Sequence, residues 1–313
     1  MAGEGAGSLF QREVFAYLVA RHLRYEFVRF NNSLYTGHEI QSNLSADTER
    51  GWAALFSFLG EPGVSSDRVQ LLTELSEISV PLADDFLWSI PFEVSYPFIA
   101  RLDPSLRAKL IEQLRKEFWG NLPSAYVRHA EHLRTERYVA LHIRNRSRGD
   151  VVHGLETFPW QCFSVDYGLL NNNPRFYANF YAKLIMKICE KHNIKQVRVF
   201  STGDHADFWR LMKFLEPYNA RLFLNRSSHL DFFELANADA LVMAHSSFSW
   251  LAALINVNHV YVRSGFRHFV PANATVIEDD EIVGPASFSE RAILFFQTII
   301  FRLRLKLKKA LRS

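Results

Sequence analysis

From about Arg137 onward, apolar and polar positions follow two alternating periods. The stretches "RYVALHIR", "KQVRVFST", "ARLFLN", "DALVMA" and "HVYVR" are short, nearly continuous apolar runs rich in β-branched and aromatic residues. Such runs suit strands buried on both faces. Between them, "NPRFYANFYAKLIMKICEKHN", "DHADFWRLMKFLEPY", "LDFFELANA" and "SSFSWLAALIN" carry helical patterns. Strands alternating with helices predict an α/β fold with a parallel sheet covered by helices on both faces. In such sheets ligands bind at the carboxyl ends of the strands, so the chemistry is sought just after each strand.

The first part of the chain is less regular. "LFQREVFAYLVARHL" spaces Leu9, Val14, Leu18 and Leu23 for a helix, and "YEFVRF" follows as a strand. "PSLRAKLIEQLRKEFWGNL" predicts an amphipathic helix, with Pro104 in its first turn and Gly120 near its end. No internal repeat is present. A chain of 313 residues with 48% hydrophobic content suits two domains, with boundaries expected at 1–135 and 136–313.

Composition narrows the class. A net charge of +3 is too small to indicate a nucleic-acid partner. Cys162 and Cys189 supply neither a disulfide framework nor a zinc spacing. There is no uncharged apolar run of about 18 residues, the length of a membrane span. The start, "MAGEGAGSLFQ", lacks the charged and apolar regions of a signal peptide. Glycosylation sequons begin at Asn31, Asn43, Asn145, Asn225 and Asn273. A glycan on Asn145 would block the cationic stretch that contains it. The expectation is a cytoplasmic protein, or a luminal one if the chain continues upstream.

Four stretches carry candidate chemistry. "HIRNRSRGD", His142 to Asp150, sets Arg144, Arg146 and Arg148 directly after a strand. Guanidinium forks match phosphate oxygens; the bland alternative is a solvated charged loop. In "AHSSFSW", Ser246, Ser247, Phe248 and Ser249 sit at a strand-to-helix corner. Free N–H groups and the helix dipole favour an anion there, although plain N-capping explains one serine. Asp231 in "HLDFFELANAD" either caps a helix or accepts the ring N–H and amino group of a purine. "GEGAGS" lets a backbone approach a ligand through Gly3, Gly5 and Gly7, with Ser8 beside them. It nearly spells a dinucleotide fingerprint, for which Glu26 would be the ribose contact, but no strand leads into it.

Together these stretches resemble the GDP-fucose-dependent fucosyltransferase superfamily. "ADALVMAHSSFSWLAAL" and "VFSTGDHADFW" are similar to the α-1,2 branch. "GEGAGSLFQ" looks like the superfamily's N-terminal glycine loop opening a helix, and "HIRNRSRGD" like its H-x-R-R-x-D motif after a strand. The resemblance covers about Arg137 to Arg263, and Gly3 to Phe30 more loosely. It departs from the family where "Asn-Arg-Ser" separates Arg144 from Arg148. It implies a GT-B glycosyltransferase, with two Rossmann-like domains facing a cleft. The first, 1–135, would be the acceptor side and lack its first strand. The second, 136–313, would bind the nucleotide sugar. It further implies inverting fucosyl transfer without metal or cofactor, from the donor substrate GDP-fucose to a hydroxyl of a glycan or protein acceptor.

Carried over residue by residue, His142 would contact guanine and Asp231 would accept its ring N–H and amine. Ser247 and the Phe248 backbone, beside Ser246, would hold the β-phosphate. Arg144 would be catalytic at the diphosphate, with Arg148 its rival. Gly5, Gly7 and Ser8 would line the donor, and Glu4 would be the base, with Asp150 and Glu156 as rivals. Another nucleotide sugar on the same fold is an alternative. So is an NAD-dependent oxidoreductase, resting on "GEGAGS" and Glu26. A membrane-surface adaptor would rest on 292–313, where six basic residues from Arg302 to Arg312 follow an apolar run. That segment either straps the domains together or makes a peripheral membrane contact.

Overall fold

The computed structural model describes residues 6–27, 29–30, 46–59, 62–63, 69–71, 87–89, 92–143, 174–244, 246–266, 268–278 and 281–282. Its centre is a six-stranded, all-parallel sheet. The strands are β5 (Tyr138–His142), β6 (Gln196–Ser201), β7 (Arg221–Leu224), β8 (Ala240–Met243), β9 (His259–Arg263) and β10 (Ala274–Ile277). Their spatial order is β10-β9-β8-β5-β6-β7. In sequence rank this is 6-5-4-1-2-3, the order of dinucleotide-binding sheets read from its other edge. The strand order reverses between β5 and β8, whose register pairs Leu141 with Val242.

Side chains of successive strand residues leave the sheet on opposite faces, and both faces are buried. Tyr138, Ala140, Phe200, Leu241, Met243, Val260 and Val262 join one apolar cluster. Val139, Leu141, Val197, Val199, Ala240, Val242 and Tyr261 join the other. This explains why the strands read as continuous apolar runs rather than alternating ones. Each fully buried Val or Leu contributes about 1.5–3 kcal/mol.

The second face is covered by α6 (Pro174–His192) and α7 (His205–Leu215). The first face is covered by α8 (Ser228–Asn237) and α9 (Ser247–Ile255). Onto these pack α1 (Ala6–Leu23), α2 (Ala46–Leu55), α3 (Phe92–Arg101), α4 (Pro104–Gly120) and α5 (Ser124–Glu136). Phe15 of α1 stacks on Trp250 of α9 at 5.3 Å between centroids. Four short strands, β1 (Arg29–Phe30), β2 (Pro62–Gly63), β3 (Val69–Leu71) and β4 (Leu87–Ser89), form two parallel pairs. Of the predicted strand "YEFVRF", Arg29 and Phe30 are described as strand. The four predicted C-terminal helices and five predicted strands are present, and β10 is an addition.

α9 is apolar on every side because every side is covered. α4 also closes its far end: Arg115 Nε donates to Leu254 O at 2.8 Å and Trp119 Nε1 to Ile255 O at 3.2 Å. Among the sequon asparagines, Asn273 donates from Nδ2 to the carbonyls of Asn256 and Asn258 and accepts from Arg115 on Oδ1. Its amide therefore serves the fold. No helix of the described residues is long and apolar enough to cross a membrane.

Candidate functional site

The crevice at the β5/β8 reversal is built from both strand ends. β5 ends on His142, which is buried, and its ring lies 5.2 Å from that of Phe248. Phe248 belongs to the first turn of α9, directly after β8. Ser246 takes an extended conformation and caps the helix, its Oγ accepting from Phe248 N at 3.2 Å. Ser249 is fully buried and donates to Ala244 O at 3.1 Å, which fixes the corner from below. Ser247 is half-buried at the first helical position. The three serines thus divide the work. Ser246 caps, Ser249 braces, and Ser247 stands at the helix start, where first-turn N–H groups lack intrahelical acceptors.

Asp231 reaches this corner through its neighbour. Phe232 packs on Phe248 at 6.1 Å, and Trp52 packs on both. Asp231 itself is buried. It is not the cap of its helix: α8 begins at Ser228 with Ser227 as cap, so Asp231 lies at the end of the first turn. One of its partners is Arg226, whose Nε donates to Oδ1 at 2.8 Å. The same guanidinium lies 2.8 Å from Glu234 Oε1 through its Nη2. It also rests over the rings of Phe223, at 4.6 Å, and Phe200, at 5.6 Å.

Glu234 continues the network into the core. It pairs with Arg198 of β6, which also binds Glu136 and lies 4.3 Å over the Tyr138 ring. Burial works to discharge Arg198. Glu234, Tyr138 and Glu136 outweigh it, so its pKa stands above the ordinary value. Burial also lifts the Tyr138 phenol well above its usual range, and its hydroxyl donates to Glu234 O at 2.6 Å. His129 lies 3.8 Å from Glu234, yet its pKa falls because burial prevails. The positive charges of Arg198 and Arg226 lower it further.

The carboxyl-end loops are tied to one another. Ser201 Oγ donates to Ile143 O at 2.7 Å. Asn225, in the left-handed region at φ 52, accepts from Gly203 N at 3.0 Å and donates to Gly203 O at 2.9 Å. α2 docks from above: Trp52 Nε1 donates to Ser228 Oγ at 2.8 Å, and Gly51 faces His229 so closely that a Cβ would come within 2.4 Å of its ring.

Of the expected site residues, the structure brings His142 against Phe248 beside Ser246 and Ser247, and sets Asp231 next to Phe232, which packs on Phe248. Gly7 and Ser8 lie inside the first turn of α1 rather than in a loop before it. Glu4, Gly5, Arg144, Arg146, Arg148, Asp150, Glu156 and the segment 292–313 lie outside the described residues. Glu26 lines a 230 Å³ cavity with Tyr17, Arg21 and Phe58 beyond the far end of α1, roughly 24 Å along the helix axis from Gly7. An acid so far from Gly7 does not share a nucleotide with it, which weakens the dinucleotide reading. Among the described residues, no group of three or more His, Cys, Asp or Glu could hold a metal. Arg226, Glu234 and Arg198 had not been expected at the site. Arg226 was findable, because "NRSSHLD" also directly follows a strand.

The described site is therefore a crevice at the reversal of strand order, with a capped helix start and an aromatic wall. No family model and no curated protein matches the chain. Among solved structures it is similar to POFUT1 in complex with GDP, at 16% identity and TM-score 0.33, over 54% of this chain and 51% of that one. A second crystal form of that complex gives 15% identity and TM-score 0.31, over 64% and 66%. E. coli heptosyltransferase WaaC with ADP gives 10% identity and TM-score 0.39, over 95% and 98%. The chain thus spans about half the length of the first POFUT1 structure.

Proposed function

We propose that the protein is an inverting glycosyltransferase that moves fucose from GDP-fucose to a hydroxyl of a glycan or protein. On this reading the described sheet is the donor domain of a two-domain GT-B enzyme. The observation that supports the reading is the meeting at the β5/β8 reversal of His142 with the Ser246–Phe248 corner, onto which Phe232, the neighbour of Asp231, packs. Asp231 accepts guanine's ring N–H and amine, and His142 flanks the base. The α9 start receives the β-phosphate through Ser247 and backbone N–H. The barrier falls as charge collects on the leaving diphosphate, which these donors and Arg144 stabilise. The fucose assignment rests on the motif resemblance. The acceptor hydroxyl attacks opposite the diphosphate and passes its proton to a base, for which Glu4 is the candidate.

The test is a binding titration with GDP, ADP, UDP and NAD, followed by a panel of GDP-sugars with detection of released GDP. GDP should bind best, and GDP-fucose should turn over. Preference for NAD, or for another nucleotide, would replace the reading. Arg144→Ala should lose turnover by about 3 kcal/mol of transition-state stabilisation or more, with the fold retained. Arg144→Lys should not restore it fully.

A further inference from the structure

We infer that Trp52, from the first third of the chain, is a positioning residue that holds the start of α9 in the shape that receives the nucleotide. This deepens the proposed function and rests on its reading of the α9 start. Helix ends fray, so the first turn of α9 offers its N–H groups in fixed directions only if something braces it. The brace is the ring of Phe248, which follows the capped position by two residues. Three rings close it in. His142 lies 5.2 Å away, and Trp52 and Phe232 stand edge-on at 6.1 Å each. Edge-to-face pairs of this kind are a favoured geometry of aromatic rings. His142 ends β5 and Phe232 belongs to α8, both parts of the sheet and its cover. Of the three, Trp52 comes from α2, which is added from outside.

Trp52 is itself fixed. Its side chain is buried, and its face stacks on Phe10 of α1 at 4.7 Å. Its Nε1 donates to Ser228 Oγ at 2.8 Å, which ties the indole to the first residue of α8. The backbone beside it has no slack. A Cβ on Gly51 would come within 2.4 Å of the His229 ring, and Gly51 O accepts from the Tyr126 hydroxyl at 3.3 Å. α2 therefore docks at one height on α8, and that height sets the indole against Phe248. Core filling alone would be met by any large apolar side chain. The edge-on contact with Phe248 asks for a ring, and Ser228 Oγ asks for its N–H.

The test measures GDP affinity by calorimetry alongside melting temperature. It uses the full chain as wild type, Trp52→Leu, Trp52→Phe, Gly51→Ala and Phe118→Leu, with circular dichroism as the fold check. Phe118 is fully buried in the same cluster and packs on Phe56 and Phe232, one ring further from Phe248. Phe118→Leu therefore reports what losing a core ring does by itself. Trp52→Leu should weaken GDP by about three- to tenfold, the worth of one aromatic contact. Phe118→Leu should stay within about twofold of wild type at a similar loss of melting temperature. Trp52→Phe, which keeps a ring, should regain most of the affinity. Gly51→Ala keeps the indole but pushes α2 away from His229. It should weaken GDP although alanine is the better helix former, and it decides the matter if Trp52→Leu does not fold. Equal losses of GDP affinity in Trp52→Leu and Phe118→Leu would make Trp52 a core residue only. Unchanged affinity in Trp52→Leu, or in Gly51→Ala where it stands in, would equally overturn the inference and leave the proposed function standing. A wild-type chain that does not bind GDP would instead sink the proposed function and this inference with it.

Discussion

Arg198 shows how a single buried charge ties elements together. It projects from β6 onto the helical face, almost fully buried, and its partners come from α5 (Glu136) and α8 (Glu234). Arg198→Met leaves Glu136 without its guanidinium and Glu234 with Arg226 alone, a loss of about 3 kcal/mol. The urea midpoint should drop accordingly, and adding Glu234→Leu should recover part of the loss. Full stability in Arg198→Met would mean that water already screens the pair. His129, beside Glu234, contributes in the opposite sense. Its folded pKa lies below its ordinary value, through burial against the pull of Glu234. The unfolded chain therefore takes up that proton first, near pH 6.5. The stability from neutral His129 is present above that pH and is lost as pH falls through the lower, folded pKa. His192 is depressed by burial and by His259 and adds to the same trend. His129→Gln should flatten the fall of melting temperature between about pH 7 and 5.5, with His192→Gln flattening it further. Parallel curves for wild type and the double variant would refute the assignment.

At the scale of elements, the α9 start separates capping from binding. Ser246→Ala removes the acceptor for Phe248 N and should cost about 1 kcal/mol of stability. Ser247→Ala should change stability by less than about 0.5 kcal/mol, as for a half-exposed position, but weaken GDP binding. Equal effects of the two substitutions on both measurements would dissolve the distinction. That corner was legible because small polar residues interrupt an apolar strand and an apolar helix. The central strands were legible because both faces are buried and little else reads that way. α5 was missed: it buries only Ala130 and Leu133 and carries charge around most of its girth. α3 was missed because Pro97 stands inside it, and α2 because Gly51 does. β10 is an edge strand with Val276 exposed, so its apolar run is short. Asp231 was recognised as a candidate, but its arginine was not. Pairing between a loop and the next helical turn depends on where the helix begins, and α8 begins three residues before Asp231.

At the scale of the whole molecule, the division at about residue 135 does not divide the hydrophobic core. Phe10, Val14 and Phe15 from α1, Trp52 and Phe56 from α2, and Leu114 and Phe118 from α4 lie in one cluster with Phe232, Phe233 and Trp250. Polar contacts cross the same boundary. Arg115 and Trp119 satisfy the last carbonyls of α9, and Trp52 binds Ser228. Without residues 1–135, α8 and α9 would expose large aromatic side chains, each worth about 1.5–3 kcal/mol of burial, and the last carbonyls of α9 would lose their donors. A domain's net stability is only about 5–15 kcal/mol, so the remainder would not stand alone. The apolar cluster therefore runs across the boundary expected from the sequence. Calorimetry should show one cooperative transition, with calorimetric and van't Hoff enthalpies close to equal. A chain beginning at Arg137 should lack a sharp transition and bind a hydrophobic dye. Saturating GDP at about 100 times its dissociation constant should raise the stability of the entire unit by about 2.7 kcal/mol and move the single transition upward as one. Two resolved transitions, with GDP shifting only one of them, would show that the halves fold separately and that the shared cluster contributes little to either.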